Sequence, residues 1–531
     1  MRSEEKNRAS VLAIAALLAV ILLFWVFRGT DRGIADSSTL EIGLVGRGDL
    51  NTLDPARAAT EAPTLVIWNV YDRLVQLGSD GKLEPSLAET WLHSDDLREW
   101  RFRLRAGAHF CGEGARAGSP VTPADVKYSI ERAVRIPGYS RSLVQDVLLG
   151  VDEFLEGGAA NISGIKLEGR EVVFALKKPF AFFPHRLATS FMSVVPDGTT
   201  DDGPPPLGTG LFRISHWDRL QNRVVLTKND EHWQFSSSEV PSTLTIRTLE
   251  NEGLAASELK TGHLDWLEGT STLRNAILHL QNEMSHLEFR SFEHTELRLV
   301  PFNLKEPPFN GEHSVSLRRA LNLGVDRARI VEALGGGDKL AGPIPVGVFR
   351  TLGLHYDPQQ AKGILEKLPE TAKHLEMIVE PVDEAQFIAQ LLVEQWREIG
   401  LEVTALPGRA NFFDRMVRGD YQMALAYYGP FVPSPEQYVW VYRRDAVPIP
   451  NVMAYMDTNF EKAFQSFITS PDEEFRDAAG TSMVNALLEN PPVVWLVKPP
   501  RFVATTSRLR APRSGGLPSF SRLSRVSDLK D

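Results

Sequence analysis

The sequence predicts an α/β protein of two lobes behind one N-terminal apolar helix, and three observations carry that prediction. The chain has 531 residues, whereas a single hydrophobic core stops growing at about 250–300 residues, so two cores are the default. Between residues 375 and 405 a strand, a helix and a second strand follow one another, the unit of a mixed sheet with helices packed on it. Finally, Val11 to Phe27 is a run of 17 residues without a polar side chain.

The apolar run comes first. As a helix at ~1.5 Å per residue it reaches about 26 Å, the short end of a membrane span. It exceeds the ~7–15-residue stretch of a cleaved signal peptide. No cysteine follows it directly, which excludes a lipid anchor through cysteine. Arg2, Lys6 and Arg8 precede it against Arg28 and Arg32 after it, which favours the N-terminus in the cytoplasm and the bulk outside. The predicted division is a cytoplasmic tip at 1–10, an anchor at 11–27 and a linker at 28–37. The alternative is a secretion signal removed near Ala35, and either way the globular part is exported.

Thr39 to Val45 alternates and runs apolar as a strand, and further strands are expected at Val172 to Leu176, Phe212 to His216, Arg223 to Thr227 and Thr243 to Leu249. Helices are marked by their caps. Thr122-Pro123-Ala124-Asp125 is a capping box with proline at the first helical position. Asp357-Pro358 repeats that grammar, and Asp326 caps the helix that Gly335-Gly336-Gly337 ends. In the 375–405 unit, Leu375, Met377 and Val379 alternate, then Phe387, Ile388, Leu391, Leu392, Trp396 and Ile399 form one helical stripe. Gly400 stops it ahead of the strand Leu401 to Thr404.

Composition excludes several function classes. The net charge of −10 has its signs mixed along the chain, so there is no cationic stripe for nucleic acid. The lone Cys111 cannot form an intramolecular disulfide and reads as a buried, inert thiol. No G-x-S-x-G, H-E-x-x-H or G-x-x-x-x-G-K-[ST] motif occurs, and no catalytic residue, metal site or cofactor is assigned. His109 and Cys111 make half a metal site at best, because no second His/Cys pair lies nearby. Gly208-Thr209-Gly210 reads as a turn into a strand. One stretch remains suggestive: Tyr427, Tyr428 and Phe431, then Tyr438 and Trp440, interleaved with Pro430, Pro433 and Pro435. It is either a ligand-lining loop or a packed Pro/aromatic staple between elements.

The order of segments adds a resemblance. Leu53-Asp54-Pro55 and Asn69 to Val75 come first, then Glu84 to Trp91 and Trp100 to Phe110, then Pro120 to Val126 with Ser129 to Ala133. Gly208 to Phe212, Asn229 to Trp233, Phe302-Asn303, Arg318 to Asn322, Val325 to Arg327, Tyr356 to Pro358 and Gly419 to Met423 follow in order. Over roughly residues 40 to 505 the chain resembles the extracytoplasmic solute-binding proteins of ABC importers, in the family that binds dipeptides, oligopeptides and nickel.

The resemblance implies the bilobal periplasmic-binding-protein fold, two mixed-sheet lobes with a hinge and an additional subdomain. The implied first lobe is 38–248 with 492–525, its subdomain about 56–190, and the second lobe is 249–491. It implies a monomer that is not an enzyme, closing on a peptide or similar solute in the interlobe cleft and presenting it to permease subunits, tethered to the cytoplasmic membrane. A membrane-tethered ligand sensor using the same cleft is the alternative. The candidate cleft residues are Tyr427, Tyr428, Phe431 and Trp440, with Tyr139 and Arg141 from the subdomain. Phe431 stands where peptide-binding members carry the aspartate that pairs with the peptide ammonium, and Glu436 is the candidate substitute. Unpaired, a buried ammonium costs several kcal/mol.

Overall fold

The computed structural model describes residues 39–506 apart from 47, 79–81, 202, 234–240, 271–272, 275, 279–286, 293–294, 409–410 and 431, together with 509–510 and 524–525. The apolar run of 11–27 lies outside the described residues, as does Phe431. Among the described residues no helix is long and apolar enough to cross a membrane.

Two large sheets and one small one organise the chain. The first is seven-stranded, in the order Glu288–Phe292, Arg501–Thr505, Trp266–Gly269, Thr39–Val45, Thr243–Leu249, Arg223–Lys228, Phe212–Asp218. Thr39–Val45 sits at its centre, parallel to both neighbours, and is buried almost throughout. That position explains its apolar composition, since parallel strands are covered on both faces. The second sheet is six-stranded: Asp338–Lys339, Val493–Lys498, Leu297–Pro301, Met423–Tyr428, His374–Val379, Glu402–Pro407. Its last three strands are mutually parallel. The helix Asp383–Glu398 returns the chain between two of them, and its Trp396 is fully buried with Nε1 donating to the Leu321 carbonyl at 3.0 Å.

The small sheet is antiparallel, ordered Ala88–His93, Glu99–Leu104, Glu171–Ala175, Ile165–Glu168. The helix Pro123–Arg135 packs with it through Val126, Ile130, Ala133 and Val134. Its capping box forms as the sequence predicts, with the Thr122 N–H donating to Asp125 Oδ2 at 2.8 Å. Asp125 also pairs with Arg116 at 2.9 Å, so one carboxylate serves the helix start and a neighbouring loop.

The sheets divide the chain differently from the boundaries at 248/249 and 491/492. Trp266–Gly269 and Glu288–Phe292 belong to the first sheet, and Val493–Lys498 belongs to the second. The chain crosses between the large sheets from Phe292 to Leu297 and from Lys498 to Arg501. Pro499-Pro500 forms the second crossing, where two residues without an N–H end one ladder before the next begins. The helix Glu61–Val70 also departs from the expected subdomain start near 56. It packs in the core of the first sheet through Ala62, Val66, Ile67 and Val70.

Candidate functional site

In α/β sheets ligands gather beyond the C-terminal ends of parallel strands. Here two such ends lie side by side in the second sheet, Met423–Tyr428 and His374–Val379. Along Met423–Tyr428 the residues Met423 to Ala426 are buried, whereas Tyr427 is 44% exposed. Strand periodicity sends neighbouring side chains to opposite faces, so Tyr427 and Tyr428 part company. The Tyr427 ring meets Phe413 edge-on at 5.9 Å. The Tyr428 hydroxyl donates to the Gln437 carbonyl, and its ring packs on the large apolar core.

Arg298 faces Tyr427 across the antiparallel pair, its guanidinium carbon 5.9 Å from the ring centroid. It lies in the fully buried strand Leu297–Pro301 and is held by Glu380 at 2.7 Å and Glu384 at 2.9 Å. Glu380 follows directly on His374–Val379, and Glu384 lies in the first turn of Asp383–Glu398. Burial raises the Glu380 carboxyl above the usual range, with Arg298 opposing that rise and Glu296 adding to it. Glu296 accepts from Arg501, and Arg501 also reaches Glu61 at 3.6 Å. The two crossings between the large sheets are therefore tied to each other by a charge pair. Burial pushes the Tyr427 phenol up to about 12, with Glu296, Glu380, Tyr139 and Glu61 adding to the rise in that order. Tyr427 thus feels charges carried by several elements beyond its own strand.

Tyr139 opens the helix Tyr139–Gln145 of the small unit. It is 45% exposed and lies 6.4 Å from the Phe191 ring. Tyr427 and Tyr139 are the two described candidates whose rings are exposed. The others are placed elsewhere. Arg141 donates to the carbonyls of Val134 at 2.8 Å and Arg135 at 2.9 Å, which satisfies the last turn of Pro123–Arg135. Its guanidinium is a helix cap. Glu436 is fully buried in the short helix Pro435–Val439, where Arg186 donates to it at 2.8 Å and Gln437 at 3.0 Å. That internal pairing withdraws it from the role of a cleft acid. Trp440 is 5% exposed, its ring 5.9 Å from the Arg186 guanidinium.

Residue-type patterns did not single out Arg298, Glu296, Glu380, Glu384, Arg501, Glu61 or Phe413. A signal was present at Arg298, a charge among Leu297, Leu299 and Val300 inside an apolar strand, and such a charge needs buried partners. Its partners come from distant elements, which no local pattern reveals.

Among the described residues there is no group of three or more His, Cys, Asp or Glu suited to a metal ion. His109 bonds the Gly107 carbonyl at 2.9 Å, and the Cys111 thiol donates to the Gly208 carbonyl at 3.3 Å. Burial pushes that thiol up to about 11, away from thiolate chemistry.

Two mixed sheets joined by two short crossings place the chain in the α/β class of mixed-sheet proteins. The chain belongs to the bacterial extracellular solute-binding proteins, family 5, whose model matches residues 82–447. It is 25% identical over 454 residues to the probable D,D-dipeptide-binding periplasmic protein of Escherichia coli (strain K12), covering 81% of this chain and 82% of that one. It is 27% identical over 319 residues to the nickel-binding periplasmic protein of the same organism, covering 56% and 55%. Among solved structures, the peptide-bound ABC transporter-associated periplasmic binding protein of Helicobacter pylori matches with TM-score 0.74, 19% identity, and coverage of 92% and 98%. The Ni(L-His)-bound protein of Campylobacter jejuni matches with TM-score 0.72, 19% identity, and coverage of 92% and 100%. These likenesses cover both large sheets and the small unit, and they show the fold.

Proposed function

We propose that this chain is the extracytoplasmic solute-binding component of an ABC importer, capturing a small solute against Tyr427 and presenting it to a membrane permease. The observation that carries the site is a half-exposed tyrosine at the C-terminal end of a parallel strand, backed by the buried Arg298. The two large sheets act as lobes, and the crossings Phe292 to Leu297 and Lys498 to Arg501 act as the hinge. A solute that touches Tyr427 on one side and Tyr139 on the other stabilises the closed arrangement by binding both sides at once.

The chemistry near Tyr427 narrows the solute. The aromatic faces of Tyr427, Phe413 and Tyr139 suit stacking or apolar side chains. The surrounding charges are Glu61, Glu296, Glu380 and Glu384 against Arg298 and Arg501, four carboxylates to two guanidiniums. That balance favours a solute bearing an ammonium over an anion. Peptides meet this description, and several relatives are peptide-binding proteins by name. With Glu436 paired internally, an ammonium would be held by the field around Tyr427 rather than by a dedicated loop carboxylate.

Titration calorimetry against a panel of di- and tripeptides and cationic metabolites, followed by small-angle scattering, tests this. Saturable binding with compaction supports it, and neither effect with any panel member rejects it. The apolar run Val11 to Phe27, with no cysteine directly after it, favours a second reading as a membrane-tethered sensor. Adjacent permease and ATPase genes support transport, whereas an adjacent kinase supports sensing.

A further inference from the structure

We propose that the seam between the small antiparallel unit and the helices around residues 435–469 is a closure latch, in which Arg186 and Glu436 are the positioning pair. The proposal rests on the cleft-binding reading above and extends it to residues outside the cleft. Topology supplies the first support. The small unit is joined by the chain to the first sheet at both ends, whereas Glu436 and Phe467 lie on the stretch that belongs with the second sheet. Arg186 and Glu436 are 250 residues apart, and Asp146 and Arg443 are 297 apart. Rotation at the crossings Phe292 to Leu297 and Lys498 to Arg501 therefore parts this seam without straining any peptide bond across it.

The second support is what the seam is made of. Arg186, fully buried, bridges Asp146 of its own unit at 2.7 Å and Glu436 across the seam at 2.8 Å. Asp146 in turn accepts from Arg443 at 3.0 Å, and Arg443 holds Asp445 at 2.8 Å. Beside this ionic chain, the Ala181 N–H donates to the Ile468 carbonyl at 2.8 Å, and the Phe182 and Phe467 rings pack at 5.0 Å. Removing charges from water costs about what their attraction returns. The ion pairs therefore add only a small net gain to a seam whose two sides also share buried apolar residues, among them Phe180, Phe183, Tyr438 and Phe464.

The third support is a set of polar atoms with no hydrogen-bond partner: Arg186 Nε, Ser434 Oγ, Gln437 Oε1 and Trp440 Nε1, all buried. Permanent interiors pair the great majority of such atoms. Arg186 carries one of them on the seam itself, an N–H that water can solvate when the seam parts. Latch and solute join the same bodies, since Tyr139 lies on the small unit and Tyr427 on the second sheet. The two contacts therefore bias one open–closed equilibrium, and weakening the latch lowers solute affinity without touching the solute.

Amide hydrogen exchange on the full-length chain, with Glu436→Gln and Phe467→Ala as separate variants, tests the latch without any added solute. The expected result is exchange at least tenfold faster across residues 178–187, where the Ala181 amide reports the seam. The helices Pro123–Arg135 and Asp383–Glu398 keep their rates, and the radius of gyration rises in small-angle scattering. Unchanged exchange at 178–187 in both variants overturns the latch. So does acceleration of all three segments together, which would make the pair a part of global stability. Because the readout needs no ligand, a failed latch and a failed solute screen are distinguishable.

Discussion

Arg298 and Tyr427 are direct cross-strand partners, one wholly enclosed and the other half exposed. The arginine is fixed from behind by Glu380 and Glu384, so it forms a rigid charged backing for an aromatic ring that faces outward. The ring can thus meet a solute without reorganising the strand that carries it.

Replacing Arg298 by Leu removes the guanidinium that pairs with Glu380 and Glu384, which are 6% and 5% exposed. Removing one side of a buried ion cluster costs about 3–5 kcal/mol, and urea unfolding of Arg298→Leu should show a loss of that size. Adding Glu380→Gln and Glu384→Gln to Arg298→Leu should recover more than half of it. No recovery would mean that the arginine acts through packing alone.

Tyr427→Ala should weaken binding of whichever panel solute is found by at least tenfold, about 1.4 kcal/mol. Its melting temperature should shift by no more than a few degrees, because the residue is 44% exposed at the end of its strand. Tyr139→Ala should behave the same way. Arg141→Gln should leave affinity unchanged, since its guanidinium caps carbonyls of its own unit.

His185 gives a pH dependence with a definite sign. Burial, aided by Arg476, lowers its pKa from 6.5 to about 4, and its Nδ1 is buried without a partner. Between those values the unfolded chain binds the proton and the native chain does not. The contribution is therefore complete above about pH 6.5 and declines as pH falls toward 4. Since part of the residue remains accessible, a loss of about 1–3 kcal/mol is expected. The difference between wild-type and His185→Gln stability, followed by urea unfolding from pH 7 to 4, should show that slope. A flat difference would contradict it.

Gly208→Ala should destabilise strongly or prevent folding, because an added Cβ would lie 1.9 Å from the Val70 carbonyl oxygen. The turn is pinned from both sides, with Thr209 Oγ1 donating to the buried Asp72 at 3.0 Å. Expression and circular dichroism of the variant check this, and a melting temperature within a few degrees of wild type would refute it.

Local features carried most of the architecture from the sequence alone. The Thr122 and Asp357 caps, the helix Asp383–Glu398 and the strands near 39, 223, 243 and 375 depend on neighbours within a few residues. The sheet to which a strand belongs does not. Trp266–Gly269 pairs with Thr39–Val45 more than 220 residues away, and nothing within the strand announces it. The candidate site divides the same way. Tyr427 was legible as an aromatic in a proline-rich turn, but adjacent Tyr428, Glu436 and Trp440 looked equivalent to it. Strand alternation and the distant Arg186 send those three into the packed interior.

Native mass spectrometry of the purified full-length chain beside Tyr427→Ala most directly tests whether a solute occupies this cleft. Incubation with the same di- and tripeptide and cationic-metabolite panel should give a discrete small-molecule adduct on the wild type, lost or greatly reduced in the variant. No adduct on the wild type, or one equally abundant in Tyr427→Ala, would contradict a solute site at the junction of the two sheets.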